Sequence, residues 1–248
     1  KTLYTGTEVV QDTYLVFDQG VVVETAQELK GELLGEHDVV TPAFIDPHSH
    51  IGMVRGGEPE TEAEANDRQD SLLISADALD PLQMDDVCLV NEFGIRVTVE
   101  HAMGVDKPDI FRELKQRGIP VIYGPLDSFP YKVELKHESW RNVRHLVDSG
   151  VEFGLMSDHP VTPARQLLLQ CRWLLRHGCS TQQAIEVISR KNAEILGLGN
   201  MLGTLEPGKW ASFTCWNGDP FHLTSYPVAV FGEGTLLHTE EKTAQTTC

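Results

Sequence analysis

Thr41-Pro42-Ala43-Phe44-Ile45-Asp46-Pro47-His48-Ser49-His50 reads as a short buried strand ending in His-x-His. Side chains alternate faces along a strand, so positions i and i+2 point the same way. On that reading His48 and His50 project into one space and form half of a metal site. The bland alternative is two unrelated histidines in a turn after Pro47. The rest of the chain bears on the choice.

Outward from this stretch the pattern changes twice. Residues 3–40 hold short β-type runs, 14–17 and 20–23, separated by Gly and Asp turns. After residue 201 the β pattern returns over 211–216, 229–231 and 235–238. Between them runs a βα rhythm. Strands are expected over 43–48, 95–100, 119–123 and 151–156. Helices are expected over 70–82, 85–93, 108–117, 138–149, 163–176 and 181–196, the last capped by Thr181. The simplest assembly folds both chain ends, 1–42 and 203–248, into one composite β-sandwich. Residues 43–202 are then inserted as a parallel βα domain.

Parallel βα folds bind ligands at the carboxyl ends of their strands. Three of the expected strands end in metal-competent groups: His48 with His50, His101, and Asp158 with His159. Imidazole with carboxylate suits Zn²⁺ or another borderline divalent ion. A metal-activated water giving its proton to Asp158 is hydrolytic chemistry. The stretch following the 119–123 strand offers Tyr123, Lys136 and His137 as substrate contacts, with exposed loop charges as the alternative. His159 either orients substrate or caps the helix at Pro163. His145 and His177 read as helix-surface histidines, and Trp140 and Trp173 as packing between helix and sheet.

The net charge of −17 argues against nucleic acid or an anionic membrane as partner. Much of it lies in one run from Glu58 to Asp70, which reads as a solvated face. No apolar run reaches the 18 residues of a membrane span, and the polar start lacks a secretory core. Five scattered cysteines without a Cys-x-x-Cys pair argue against a disulfide framework. A small-molecule substrate and a cytoplasmic setting are expected.

Taken in order, these motifs resemble the amidohydrolase superfamily. The stretch 41–50 resembles its strand-1 signature, and Ser157-Asp158 its strand-8 aspartate. Asn192-Ala-Glu-Ile-Leu-Gly197, Leu202-Gly-Thr-Leu-Glu-Pro-Gly-Lys209 and Trp216-Asn-Gly-Asp-Pro220 are similar to its exit from the barrel into the sandwich. Imidazolonepropionase-related members are the most similar. The resemblance implies an α/β fold, a (βα)₈ TIM-type barrel, one or two divalent metals, and hydrolysis of amide, lactam or related C–N bonds. By position, His48 and His50 match the first ligand pair, and His101 the strand-6 histidine at a second metal or against the substrate carbonyl. Asp158 matches the ligand that is also the general base.

The resemblance also implies more barrel than this chain offers. A (βα)₈ barrel needs roughly 200 residues or more, and the span 43–202 is shorter. Strands 2–5, with their bridging lysine or glutamate and strand-5 histidine, have no counterpart between His50 and His101, so the barrel reads as incomplete with a junction near 87–88. A catalytically impaired metal-binding or assembly module on the same scaffold, or a deaminase, are the alternatives to a hydrolase. An incomplete barrel exposes core-facing valines and unpaired strand edges. The folded chain is therefore expected to sediment as a homo-oligomer, and a monodisperse monomer would refute this.

Overall fold

The computed structural model describes residues 1–49, 97–126 and 137–240. They belong to two compact units: Lys1–Ile45 with Ser180–Cys248, and Asp46–Cys179.

In the first unit both chain ends build one six-stranded sheet. Its strands are β1 (Thr2–Tyr4), β2 (Val9–Gln11), β5 (Val39–Pro42), β9 (Phe213–Trp216), β10 (Pro227–Gly232) and β11 (Thr235–Thr239). The order is β11-β10-β9-β5-β1-β2. Central β5 runs parallel to β1 and antiparallel to β9. A separate antiparallel pair joins β3 (Tyr14–Asp18) to β4 (Val21–Ala26). Its two-residue turn, Gln19-Gly20, has positive φ at both positions, the twist that suits a tight hairpin. A Cβ on Gly20 would also meet the Glu233 carbonyl at 2.8 Å.

The core of this unit centres on Leu3, Val22, Leu205, Ala211, Phe213, Cys215 and Ala229. Phe213 stacks on Phe231 at 4.6 Å between ring centres and meets Phe17 edge-on at 5.5 Å. Buried Thr41 accepts a 3.1 Å hydrogen bond from the Trp216 indole, so the one polar group of that ring is satisfied inside the core.

The helix expected over 181–196 is interrupted. It comprises α5 (Thr181–Glu186), a π-turn over Val187–Lys191 and α6 (Asn192–Ile195). Ser189 Oγ donates to the Ile185 carbonyl at 2.7 Å, side-chain competition of the kind that loosens a helix ladder. The cap is Ser180, not Thr181: Ser180 and Gln183 form a reciprocal capping box.

In the second unit β6 (Val99–His101), β7 (Val121–Tyr123) and β8 (Phe153–Leu155) form a parallel sheet in the order β6-β7-β8. Helix α1 (Pro108–Gln116) follows β6 and buries Phe111 and Leu114. Helix α2 (Val143–Ser149) follows a 3₁₀ turn over Trp140–Asn142 and ends at left-handed Gly150. The helix expected over 163–176 is a 3₁₀ turn (Ala164–Gln166), then α3 (Leu167–Gln170) and α4 (Arg172–Arg176). Buried Gln170 at the end of α3 ties two strand exits together. Its amide donates to Met156 O at 3.0 Å and accepts from Leu126 N at 2.7 Å.

The strand expected over 43–48 is not regular. Strand β5 stops at Pro42, because Pro42 and Pro47 offer no N–H to a ladder. The Ala43 and Ile45 N–H groups donate instead to Ser212 O (3.0 Å) and Ile188 O (2.8 Å). The helices expected over 70–82 and 85–93, and the junction near 87–88, lie outside the described residues. Among the described residues no helix is long and apolar enough to cross a membrane, and Cys171 and Cys215 are buried.

Because Phe213 is 5% exposed and touches two aromatic rings, Phe213→Ala leaves a cavity that close-packed neighbours only partly refill. It should destabilise the chain by about 3–5 kcal/mol in urea unfolding.

Candidate functional site

Residues 46–49 reach the exit of β8 through four polar links. The Asp46 carboxylate accepts from the Ser157 N–H at 3.0 Å and from the Ser157 hydroxyl. The Asp158 N–H donates to His48 O at 3.1 Å, and Ser49 bridges His159 in parallel register. Ser157 is fully buried, so the water it has lost is replaced by these partners and by the His159 N–H at 3.2 Å.

Asp158 and His101 both sit in the left-handed region, with φ of 52° and 64°. Non-glycine residues avoid it, and each such residue costs of order 1–3 kcal/mol. The strain has a visible use at His101. Alternation along β6 would send Glu100 and His101 to opposite faces, yet both rest against His48. The left-handed turn at residues 101 and 102 ends the strand and brings the His101 ring back.

The result is a compact group. One ligand atom each from His48, His101 and Asp158 lie within 4.8 Å of one another. The two imidazoles meet edge to face at 5.2 Å between ring centres. His48 Nε2 is 3.4 Å from Asp158 Oδ1, and its Nδ1 is hydrogen-bonded to Glu100 Oε2. His101 Nδ1 lies 3.1 Å from Gly124 O, which can only accept, so Nδ1 carries the proton and neutral His101 keeps its lone pair on Nε2.

The two rings are driven apart in protonation. Hydrogen bonds to Asp158 and Glu100 push His48 up to about 10, against the opposing effect of burial. Burial holds His101 below the ordinary imidazole range, and the charge on His48 adds to this. The His48 hydrogen bond holds Glu100 below the usual carboxylate range.

Three residues singled out from the sequence thus come together: His48, His101 and Asp158. His50 and Lys136 lie outside the described residues. His159 does what a cap does: its Nδ1 accepts from the Ala164 N–H at 3.3 Å. His137 is exposed, and its carbonyl accepts from the buried Asn142 amide at 2.8 Å. Tyr123 is fully buried, edge-on to Phe111 at 6.3 Å, and is not brought into the group. Sequence reasoning missed Glu100, Asp46 and Ser157. The signal for Glu100 was present, since it precedes a histidine at a strand end.

A family model described as the amidohydrolase family matches residues 60–239. A curated relative, amidohydrolase tasK of Hapsidospora irregularis, is 28% identical over 109 residues. That match covers 44% of this chain and 11% of the relative. The crystal structure of an amidohydrolase from Thermotoga maritima MSB8 is 31% identical, with a TM-score of 0.58 over 63% of this chain and 40% of that one. The chain thus spans well under two thirds of either protein. A crystal structure of a Xaa-Pro dipeptidase with methionine in its active site aligns with a TM-score of 0.66 at 14% identity, over 95% of this chain and 97% of that one, a likeness of fold. These neighbours imply a TIM-barrel-type α/β fold.

Two predictions follow from this geometry. Gly124 has φ +135°, and an added Cβ would meet Met156 O at 2.7 Å. Gly124→Ala should therefore lower Tm and displace the acceptor of His101 Nδ1, seen as a changed His101 imidazole ¹⁵N shift. His48, raised above its unfolded value, stabilises the metal-stripped protein fully below about pH 6.5. That contribution is lost as pH rises through about 10. Metal-stripped wild type should lose roughly 2–4 °C of Tm more than His48→Gln over this window, the size of a ~1 kcal/mol effect in a chain of this length.

Proposed function

The chain belongs to the amidohydrolase family, and from that premise we propose that it is a metal-dependent hydrolase of C–N bonds in small amides, lactams or related substrates. The observation that carries the reading is the convergence of His48, His101 and Asp158 at the strand exits of one parallel unit. Members of this family are typically metal-dependent. The donor set fits such an ion: two imidazoles and a carboxylate are the ligand types of open catalytic zinc sites. Metal–ligand bonds of about 2.0–2.2 Å hold neighbouring ligand atoms roughly 3–4 Å apart. The 4.8 Å spread of this group therefore needs only a small contraction.

His48, His101 and Asp158 would hold the ion, most plainly Zn²⁺, with His50 on the same segment as a further ligand. When bound, such an ion supplies Lewis acidity and makes water a competent nucleophile near neutral pH. Neutral His101, with its proton directed at Gly124 O, offers only a lone pair toward the group. It suits a ligand and cannot donate a hydrogen bond to a substrate carbonyl from Nε2. Asp158, 9% exposed, would be the general base that takes the proton of the attacking water and returns it to the leaving nitrogen.

The test is metal content first and turnover second. The purified chain should hold at least about one equivalent of divalent ion, lost in His48→Ala. Uptake should weaken as pH falls, because the ion competes with the proton His48 shares with two carboxylates. A panel of N-acyl amino acids, hydantoins, imidazolones and dipeptides should yield a substrate whose hydrolysis drops ~10²–10⁴-fold in Asp158→Asn. Less than one equivalent of ion, with no response to His48→Ala, would overturn the reading.

A further inference from the structure

We propose that Glu100 is a positioning residue that aims His48 at the metal, an inference that rests on the metal-site reading above. Its carboxylate takes the Nδ1 side of the His48 ring across a sequence separation of 52 residues. It is not one of the grouped ligands, which are His48, His101 and Asp158. With Nδ1 engaged, the ring has one nitrogen left, and that nitrogen faces Asp158 Oδ1 at 3.4 Å. The partner therefore selects both the tautomer and the direction of the lone pair.

Glu100 is well placed for this. It lies on β6, paired with Ile122 of the neighbouring strand, so its backbone is part of the sheet rather than of a loop. Thr98 Oγ1 donates to its other oxygen at 3.4 Å, which limits rotation of the carboxylate. The Glu100 side chain is 34% exposed and that of His48 27%, so solvent only partly screens the pair. The second imidazole is held by the same device with a weaker acceptor: His101 Nδ1 donates to a backbone carbonyl, Gly124 O. Both rings thus have Nδ1 engaged away from the group, so that Nε2 is the nitrogen each would turn to an ion. A carboxylate behind a ligating imidazole also raises its basicity, and losing such a partner typically weakens metal binding 10–100-fold.

The test uses the full chain, stripped of metal and reloaded with Zn²⁺, with affinity read by chelator competition and the His48 ring read by ¹⁵N NMR. Glu100→Ala should weaken Zn²⁺ binding 10–100-fold. Glu100→Gln, whose amide oxygen still accepts from Nδ1–H, should recover most of that loss. In loaded wild type, His48 should show a protonated Nδ1 and a coordinated Nε2. Wild-type affinity in a folded Glu100→Ala, equal losses in the Gln and Ala variants, or Nδ1 coordination in wild type would each overturn the inference. If the wild type takes up no Zn²⁺, the proposed function falls. Whether Glu100 orients the His48 ring is then decided on the metal-free chain. A slowly exchanging His48 Nδ1–H present in wild type and lost in Glu100→Ala supports it, and the absence of that resonance from wild type overturns it.

Discussion

The Asp46 carboxylate, receiving both the N–H and the hydroxyl of Ser157, is the link on which the site depends. It joins positions 111 residues apart, and each end is two residues from or next to a proposed ligand. A carboxylate accepting two hydrogen bonds from a fully buried partner is costly to separate, because parting leaves a buried donor and a charge unsatisfied. The His48 carbonyl then accepts from the Asp158 N–H, and Ser49 bridges His159. The two segments are fixed in parallel register although 43–48 never forms a regular strand. Proline removed the ladder, and a side chain rebuilt the join.

What the sequence made legible was order and chemistry. The βα rhythm located β6, β7, β8, α1 and α2 within a few residues, because apolar runs bounded by Gly118 and Gly150 carry their own punctuation. His48, His101 and Asp158 were legible because each closes an apolar stretch with a polar group. The missed features share a cause: they depend on competition that a one-dimensional pattern does not display. Ser180 rather than Thr181 takes the cap because Gln183 stands three residues later and can reciprocate. The π-turn follows from one serine hydroxyl claiming a carbonyl of the helix. Tyr123 looked like a rim residue from its place at a strand end, but strand parity turns it toward Phe111. Glu100 carried a signal, its place before a histidine at a strand end, but strand parity sets it on the opposite face from His101.

Part of the strained backbone falls at the candidate site, and the rest, at Asp12, Gln19 and Glu233, in the other unit. His101, Ala102 and Asp158 are three of the non-glycine residues with positive φ, and two of them are proposed ligands. A left-handed residue at a strand exit reverses which side the next side chain occupies. Here two successive residues of β6, Glu100 and His101, both meet the His48 ring. The cost of holding these conformations is of the same order as that of losing one buried hydrogen bond. The neighbouring contacts can therefore carry it: the Asp46–Ser157 join beside Asp158, and the His101–Gly124 hydrogen bond beside Ala102.

The two imidazoles show how one group of side chains favours two protonation states 5.2 Å apart between ring centres. Glu100 and Asp158 flank His48 and favour its charged form, while burial and that same charge favour neutral His101. Without an ion, the proton shared by His48 takes the place of a cation between carboxylates. An ion that displaces it removes one positive charge and brings in two, and the flanking acids are already present to offset the excess. The carboxylates that hold His48 protonated would also offset the charge of a divalent ion held in place of that proton, although the ion must first compete with it.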